Sequence, residues 1–199
     1  DFDESKIEYI GRAVDEAYLN EVKKLSYTNE GKDDLNIVFT SLHGTSIVLV
    51  PEALQNAGFT NVQIVKEQAV ADGNFPTVPS PNPEEGAALE MAVNLANQTN
   101  ADLVIGCDPD TDRVGIAVRD LDNKMVLLNG NQTASVLFYY MLHQLKAENK
   151  LDEKSFVAET IVTTDLIERI AEYFNVECLT CLTGFKWIAE IIRKNEGKK

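Results

Sequence analysis

"DLVIGCDPDTDRVGIAVRD", residues 102–120, decides how the rest of the chain is read. Its first six residues form an apolar run ending at Cys107, the composition of a strand covered on both faces. Three aspartates follow at alternate positions, Asp108, Asp110 and Asp112, and Arg113 closes the set. A second apolar stretch, 114–120, reads as another strand, and "LDN" turns the chain into "KMVLLN" (124–129). The acidic cluster is therefore a loop between two strands.

Working outward, "NIVFTSL" (36–42) and "VQIVKE" (62–67) read as strands. "SIVLVPEALQNAG" (46–58) predicts a helix stopped by Gly58. The proline-rich "FPTVPSPNPEE" (75–85) predicts a loop with Asn82 as N-cap and Pro83 as the first position of a helix running to about Asn97. At the start, "SKIEYIGRAVDEAYLNEVKKL" has a helical period, with Ile7, Ile10, Val14, Ala17, Tyr18 and Val22 on one face. Residues 36–107 thus alternate β-α-β-α-β, the pattern of a mostly parallel sheet flanked by helices. The pattern then restarts. Helix (130–149), strand (155–163), helix (164–175), strand (176–182) and helix (183–195) follow in turn. We place a domain boundary at 129: residues 1–129 form one α/β unit and residues 130–199 a second, truncated one. The Asp1 start is read as that of an excised piece.

Bulk numbers exclude several classes of function. The chain has 199 residues, 44% of them hydrophobic, enough for a sizeable core. Its net charge of −14 repels nucleic acid and anionic membranes, so neither is an expected partner. No apolar run reaches the length of a membrane span, and no signal peptide opens the chain. Three cysteines, an odd and low number, fit reduced thiols and a cytoplasmic location. Cys178 and Cys181 form a CxxC within a predicted strand, where positions i and i+3 face opposite sides. They are read as small buried hydrophobes. The two "NQT" sequons are taken as chance.

Three carboxylates at a strand end repel each other unless a cation joins them. Hard oxygen donors suit Mg²⁺ or Mn²⁺, with open positions left for water or a phosphate oxygen. Arg113 can fork onto phosphate, and its loss is expected to cost turnover more than stability. A solvated acidic turn accounts for the charges but not for their place after a buried strand. An EF-hand needs Gly and Glu where Arg113 and Arg119 stand. A haloacid-dehalogenase-type phosphatase, with Asp108 as nucleophile, would place its motif after the first strand, not the third.

"GCDPDTDR" resembles the D-x-D-x-D-R metal loop of the α-D-phosphohexomutases, the phosphoglucomutase/phosphomannomutase family. "FTSLHGTS" (39–46) resembles the first strand-to-helix turn of that family's second domain. "DGNFPTVPSPNPEE" (72–85) resembles its "FP…PNPE" loop, and "LTGFKWIAEII" (182–192) the "TGFK" helix start of its third domain. The resemblance implies a central fragment of an intramolecular phosphotransferase: domain II and part of domain III. It implies Mg²⁺ on Asp108, Asp110 and Asp112, Arg113 beside the transferring phosphate, and Lys186 facing the substrate. Thr183 and Gly184 would shape the loop at the helix N-terminus, and His43 would lie near the cleft. A phosphoserine donor and a sugar bisphosphate activator belong to the same picture, with the phosphosugar as the small-molecule partner. The family's phosphoserine, sugar-reading and distal phosphate loops are not found in these 199 residues. Domain I, the rest of domain III and domain IV would supply them in a parent chain, so the isolated fragment is expected to be inactive. A non-catalytic module binding a divalent metal or phosphosugar is the alternative, and a phosphatase the weaker third.

Overall fold

A computed structural model describes residues 3–197. It divides into two compact units, Asp1–Leu128 and Asn129–Lys199. Both are α/β.

The first unit is a five-stranded mixed sheet. β1 (Asn36–Thr40), β2 (Asn61–Ile64) and β3 (Leu103–Cys107) run parallel, and β4 (Val114–Arg119) and β5 (Met125–Leu128) add antiparallel hairpins, in the order β2-β1-β3-β4-β5. β3, the strand that ends in the acidic loop, is the middle one. Its neighbours pair with both of its edges, and its side chains are buried or part-buried on the two faces, which suits its uniformly apolar sequence. The helices are α1 (Gly11–Lys23), α2 (Val50–Asn56) and α3 (Gly86–Thr99). On α3, Ala88, Ala92 and Ala96 repeat every four residues and are wholly buried. Small side chains on that face let the helix close onto the sheet, where Val38, Val104 and Ala117 meet it. Ile37 and Phe39, alternating with Val38 on β1, fill the opposite face.

Two bare positions sit in the β3–β4 pair. Gly106 lies opposite Gly115 in the register. A Cβ on Gly106 would meet Leu89 Cδ2 of α3 at 2.4 Å, and one on Gly115 would meet the Pro83 carbonyl oxygen at 2.0 Å. Both approaches are closer than a real Cβ allows, so helix and proline loop are pressed into the space these glycines leave. Arg119, at the end of β4, donates Nη2 to the carbonyl of Ala96 and Nε to that of Ala101, satisfying the end of α3.

Several boundaries differ from the sequence reading. α3 begins at Gly86, with Glu85 in the extended N-cap conformation. Asn82 instead closes a local turn, accepting from the Glu84 N–H and donating to the Glu85 carboxylate. Pro83 is fixed against Gly115 and does not start the helix. The 46–58 segment opens as a 3-10 turn (Thr45–Ile47), with α2 proper beginning at Val50. α1 buries only Leu19; Ile7, Ile10, Val14 and Tyr18 of its expected apolar face are about half exposed or more.

The second unit has two parallel strands, β6 (Phe156–Thr160) and β7 (Glu177–Cys181), with α4 (Gly130–Ala147), α5 (Leu166–Phe174) and α6 (Phe185–Lys194). Asn129 and Gln132 form a reciprocal capping box that starts α4. Leu142, Ala171, Phe174 and Val176 make a small core. α6 buries no residue fully. Trp187 is half-buried. Cys178 and Cys181 are likewise only part-buried, and both are free thiols.

Candidate metal centre

β3 delivers its last residue, Cys107, to the carboxyl edge of the sheet, and Asp108 follows directly. Asp108 is fully buried there, while Asp110 and Asp112 are exposed. One oxygen from each of the three lies within 4.8 Å of the others. A tight turn achieves this: the Thr111 N–H donates to the Asp108 carbonyl at 3.1 Å, with Thr111 itself in the left-handed region at φ 67°. The alternate spacing thus becomes a converging set of donors.

Arg113 closes the turn. Its backbone N–H donates to Asp108 Oδ1 at 2.9 Å and its Nε to Oδ2 at 2.8 Å. The Arg113 side chain is still 52% exposed, with its Nε 3.7 Å from Asp112 Oδ1. Burial would raise the Asp108 carboxyl, but the Arg113 bonds outweigh it and hold the group below the usual carboxylate range. Asp112 goes the other way. Its hydrogen bond with Asp108, then the charges of Asp110 and Asp108, push it up. Three crowded carboxylates of this kind fit a hard divalent cation, because each ionised oxygen keeps a free lone pair after its protein bonds are counted.

The turn after β1 lies against this loop. The Thr45 N–H and Oγ1 both donate to the Pro109 carbonyl, at 2.9 and 3.2 Å, and Thr45 Oγ1 lies 3.1 Å from Thr111 Oγ1. His43 is in this turn but is only 4% exposed. Its Nδ1 bonds the Val70 carbonyl at 2.9 Å and its Nε2 the Thr77 hydroxyl at 2.8 Å. Both ring nitrogens are taken up inside the fold. The residues that sequence reasoning passed over are Gly44, Thr45 and Thr77. Their partners lie far along the chain, so no local spacing marks them.

Thr183, Gly184 and Lys186 are in the second unit, and all three are exposed. Gly184 is the N-cap of α6 at φ 123°, a value that favours glycine. Lys186 Nζ lies over the Trp187 ring, 4.8 Å from its centroid. Ser135, within "QTAS", is inside α4 with its hydroxyl donating to the Asn131 carbonyl, the ordinary place of a helical serine.

A mixed α/β sheet with an acidic loop at the carboxyl end of its middle strand belongs to the class of α/β proteins that gather their chemistry at strand ends. Within that class the chain belongs to the phosphoglucomutase/phosphomannomutase family: residues 16–123 match its α/β/α domain II and residues 129–198 its α/β/α domain III. A phosphoglucomutase of Staphylococcus aureus (strain USA300) is 45% identical over 163 residues, covering 82% of this chain and 29% of that protein. The fold is shared with a phosphoglucomutase/phosphomannomutase family protein from Burkholderia thailandensis, at TM-score 0.73 and 17% identity over 92% of this chain and 36% of that one. It is also shared with Aspergillus fumigatus N-acetylphosphoglucosamine mutase in complex with GlcNAc-6P and magnesium, at TM-score 0.58 and 14% identity over 89% of this chain and 35% of that one. The chain thus spans under a third of the length of the curated relatives it matches. No helix among the described residues is long and apolar enough to cross a membrane.

Proposed function

We propose that this chain carries the metal-binding loop of a Mg²⁺-dependent phosphosugar mutase, which interconverts 1-phosphate and 6- or 5-phosphate sugars. The convergence of Asp108, Asp110 and Asp112 to within 4.8 Å, beside Arg113, carries this reading. Magnesium in a relative of the same fold supports it. Mg²⁺, with Mn²⁺ as a substitute, would supply charge neutralisation for a transferring phosphoryl group. Asp108, fixed at both oxygens, would orient the set, and exposed Asp110 and Asp112 would complete it. Arg113 has a guanidinium half open to solvent and able to meet a phosphate oxygen. On the second unit, Lys186, Thr183 and Gly184 at the start of α6 form the substrate-facing set that the family resemblance implies. The positive end of the α6 dipole suits an anion there.

The phosphoryl donor, the sugar bisphosphate activator and the loops that grip the sugar are assigned to the remaining mutase domains of a parent chain. The isolated 199 residues should then show no turnover, because positioning supplies much of the rate in phosphoryl transfer. A coupled assay of glucose 1-phosphate to glucose 6-phosphate, with Mg²⁺ and a trace of bisphosphate, tests this. Turnover that disappears in Asp108→Ala would show that the chain carries its own donor.

A further inference from the structure

β1 and β3 lie side by side and their carboxyl ends point the same way, yet the chain leaves β1 for one flank and returns through β3 on the other. In open α/β sheets a crevice opens at such a switch point. Here the two loops that frame it touch. A Cβ on Gly44 would lie 2.3 Å from the Pro109 Cα and 2.5 Å from its carbonyl oxygen. Gly44 has φ −104° and ψ −171°, a conformation open to any residue, so space and not backbone freedom requires the glycine.

From this contact we infer that the 42–46 turn is a clamp that sets the shape of the acidic loop, with Gly44 and Thr45 as positioning residues for the three aspartates. Pro109 stands between Asp108 and Asp110, so wherever Pro109 rests, the separation of those two carboxylates is set. Two bonds from Thr45 and the bare Cα of Gly44 hold it. The clamp itself is stiff. Leu42 and His43 are consecutive left-handed residues, at φ 46° and 64°. Such a turn persists only when its surroundings over-determine it, and here they do. The His43 N–H donates to the Gln68 carbonyl, Ser41 Oγ to the same oxygen, and Thr40 Oγ1 to Gln68 Oε1. Gln68 Nε2 and His43 Nε2 both meet the Thr77 hydroxyl. A satisfied buried network gives a rigid anvil, and an exposed loop of mutually repelling carboxylates needs one. His43 therefore serves the aspartates from a distance, through the turn it pins. The ligand in this inference rests on the metal reading above; the geometry does not.

Gly44→Ala, Thr45→Val and the control Gly86→Ala test it in the full 199-residue chain. A Cβ on Gly86 meets nothing within 4 Å. Two readouts are taken: amide chemical shifts of residues 108–113 without metal, and Mn²⁺ affinity by water-proton relaxation. Gly44→Ala should move the loop amides and weaken Mn²⁺ by about tenfold or more, the usual cost of losing a supporting contact around a metal site. Thr45→Val should move the same amides and weaken Mn²⁺ about fivefold, the worth of one hydrogen bond. Gly86→Ala should do neither. If Gly44→Ala fails to fold, the Thr45→Val amides decide. If wild type binds no Mn²⁺ while Gly44→Ala or Thr45→Val still moves the loop, the clamp stands and the metal reading falls. Loop amides and Mn²⁺ affinity unchanged in the folded variants would overturn the clamp.

Discussion

Arg113 grips both oxygens of Asp108, one through its backbone N–H at 2.9 Å and the other through Nε at 2.8 Å. The partners are unequally placed: Asp108 is fully buried and the Arg113 side chain half exposed. A carboxylate without water around it depends on these donors, so Arg113 cannot be a catalytic ornament on an indifferent scaffold.

Arg113→Ala should therefore act twice. In the full-length parent, turnover should fall about a hundredfold or more, as for other preorganised donors aimed at developing charge. Stability should fall too, because Asp108 keeps its charge and loses half its support. The structure thus amends the expectation from sequence, in which stability was the minor effect. Urea unfolding and the coupled assay measure the two. Retained turnover would remove Arg113 from the chemistry.

Asp110→Ala should abolish specific Mn²⁺ binding by the isolated chain. Three carboxylates in water hold a hard cation loosely, so wild-type affinity should be roughly millimolar. Paramagnetic broadening centred on residues 108–113 reports it. Broadening that is equal in wild type and variant would sink the assignment.

His43→Leu should destabilise the first unit by about 2 kcal/mol, since two part-buried hydrogen bonds vanish: the Val70 carbonyl loses the imidazole, and the Thr77 hydroxyl keeps only Gln68 Nε2. The urea midpoint reads this directly. A midpoint at the wild-type value would mean that the network contributes nothing to the fold.

Glu159 should titrate against stability. It is 8% exposed, and one carboxyl oxygen is buried without a hydrogen bond among the described residues. Burial, followed by the charges of Glu168 and Asp165, raises it above the ordinary 4.5. A group raised in the folded state stabilises while protonated, below that ordinary value, and the contribution is lost as pH rises through the higher folded value. Glu159→Gln should then be more stable than wild type at pH 7 and gain little at pH 4. The Cys178 thiol is pushed up to about 12 by burial and by Glu159. Iodoacetamide should label it slowly at neutral pH, and faster in the Gln variant. An unchanged urea midpoint at pH 7 would remove the argument.

What could be read from the sequence was whatever is written locally. The acidic loop announces itself because three aspartates and an arginine sit in six residues behind an apolar strand. β3 and β4 announce themselves as apolar runs, with Val104, Gly106, Gly115 and Ala117 buried on one face and their neighbours mostly part-buried on the other. Reading failed where a distant partner decides. Asn82 and Pro83 look like a helix start, but Pro83 is held by Gly115, some thirty residues on. α1 has the period of a buried helix yet shows most of its apolar face to solvent. His43 looked like a cleft residue, and only Val70 and Thr77 explain its burial.

The facing pair Gly106 and Gly115 has a practical consequence for protein engineers. Transplanting "GCDPDTDR" onto another sheet would carry the three carboxylates and leave behind their seat. Leu89 and Pro83 enter the gap above those two glycines, so the donor cassette is a hairpin with its overlying helix, plus the turn that bears Gly44. A recipient strand with a valine opposite a valine at those two places would lift the helix away. The grafted aspartates would then be present in the sequence and scattered in space.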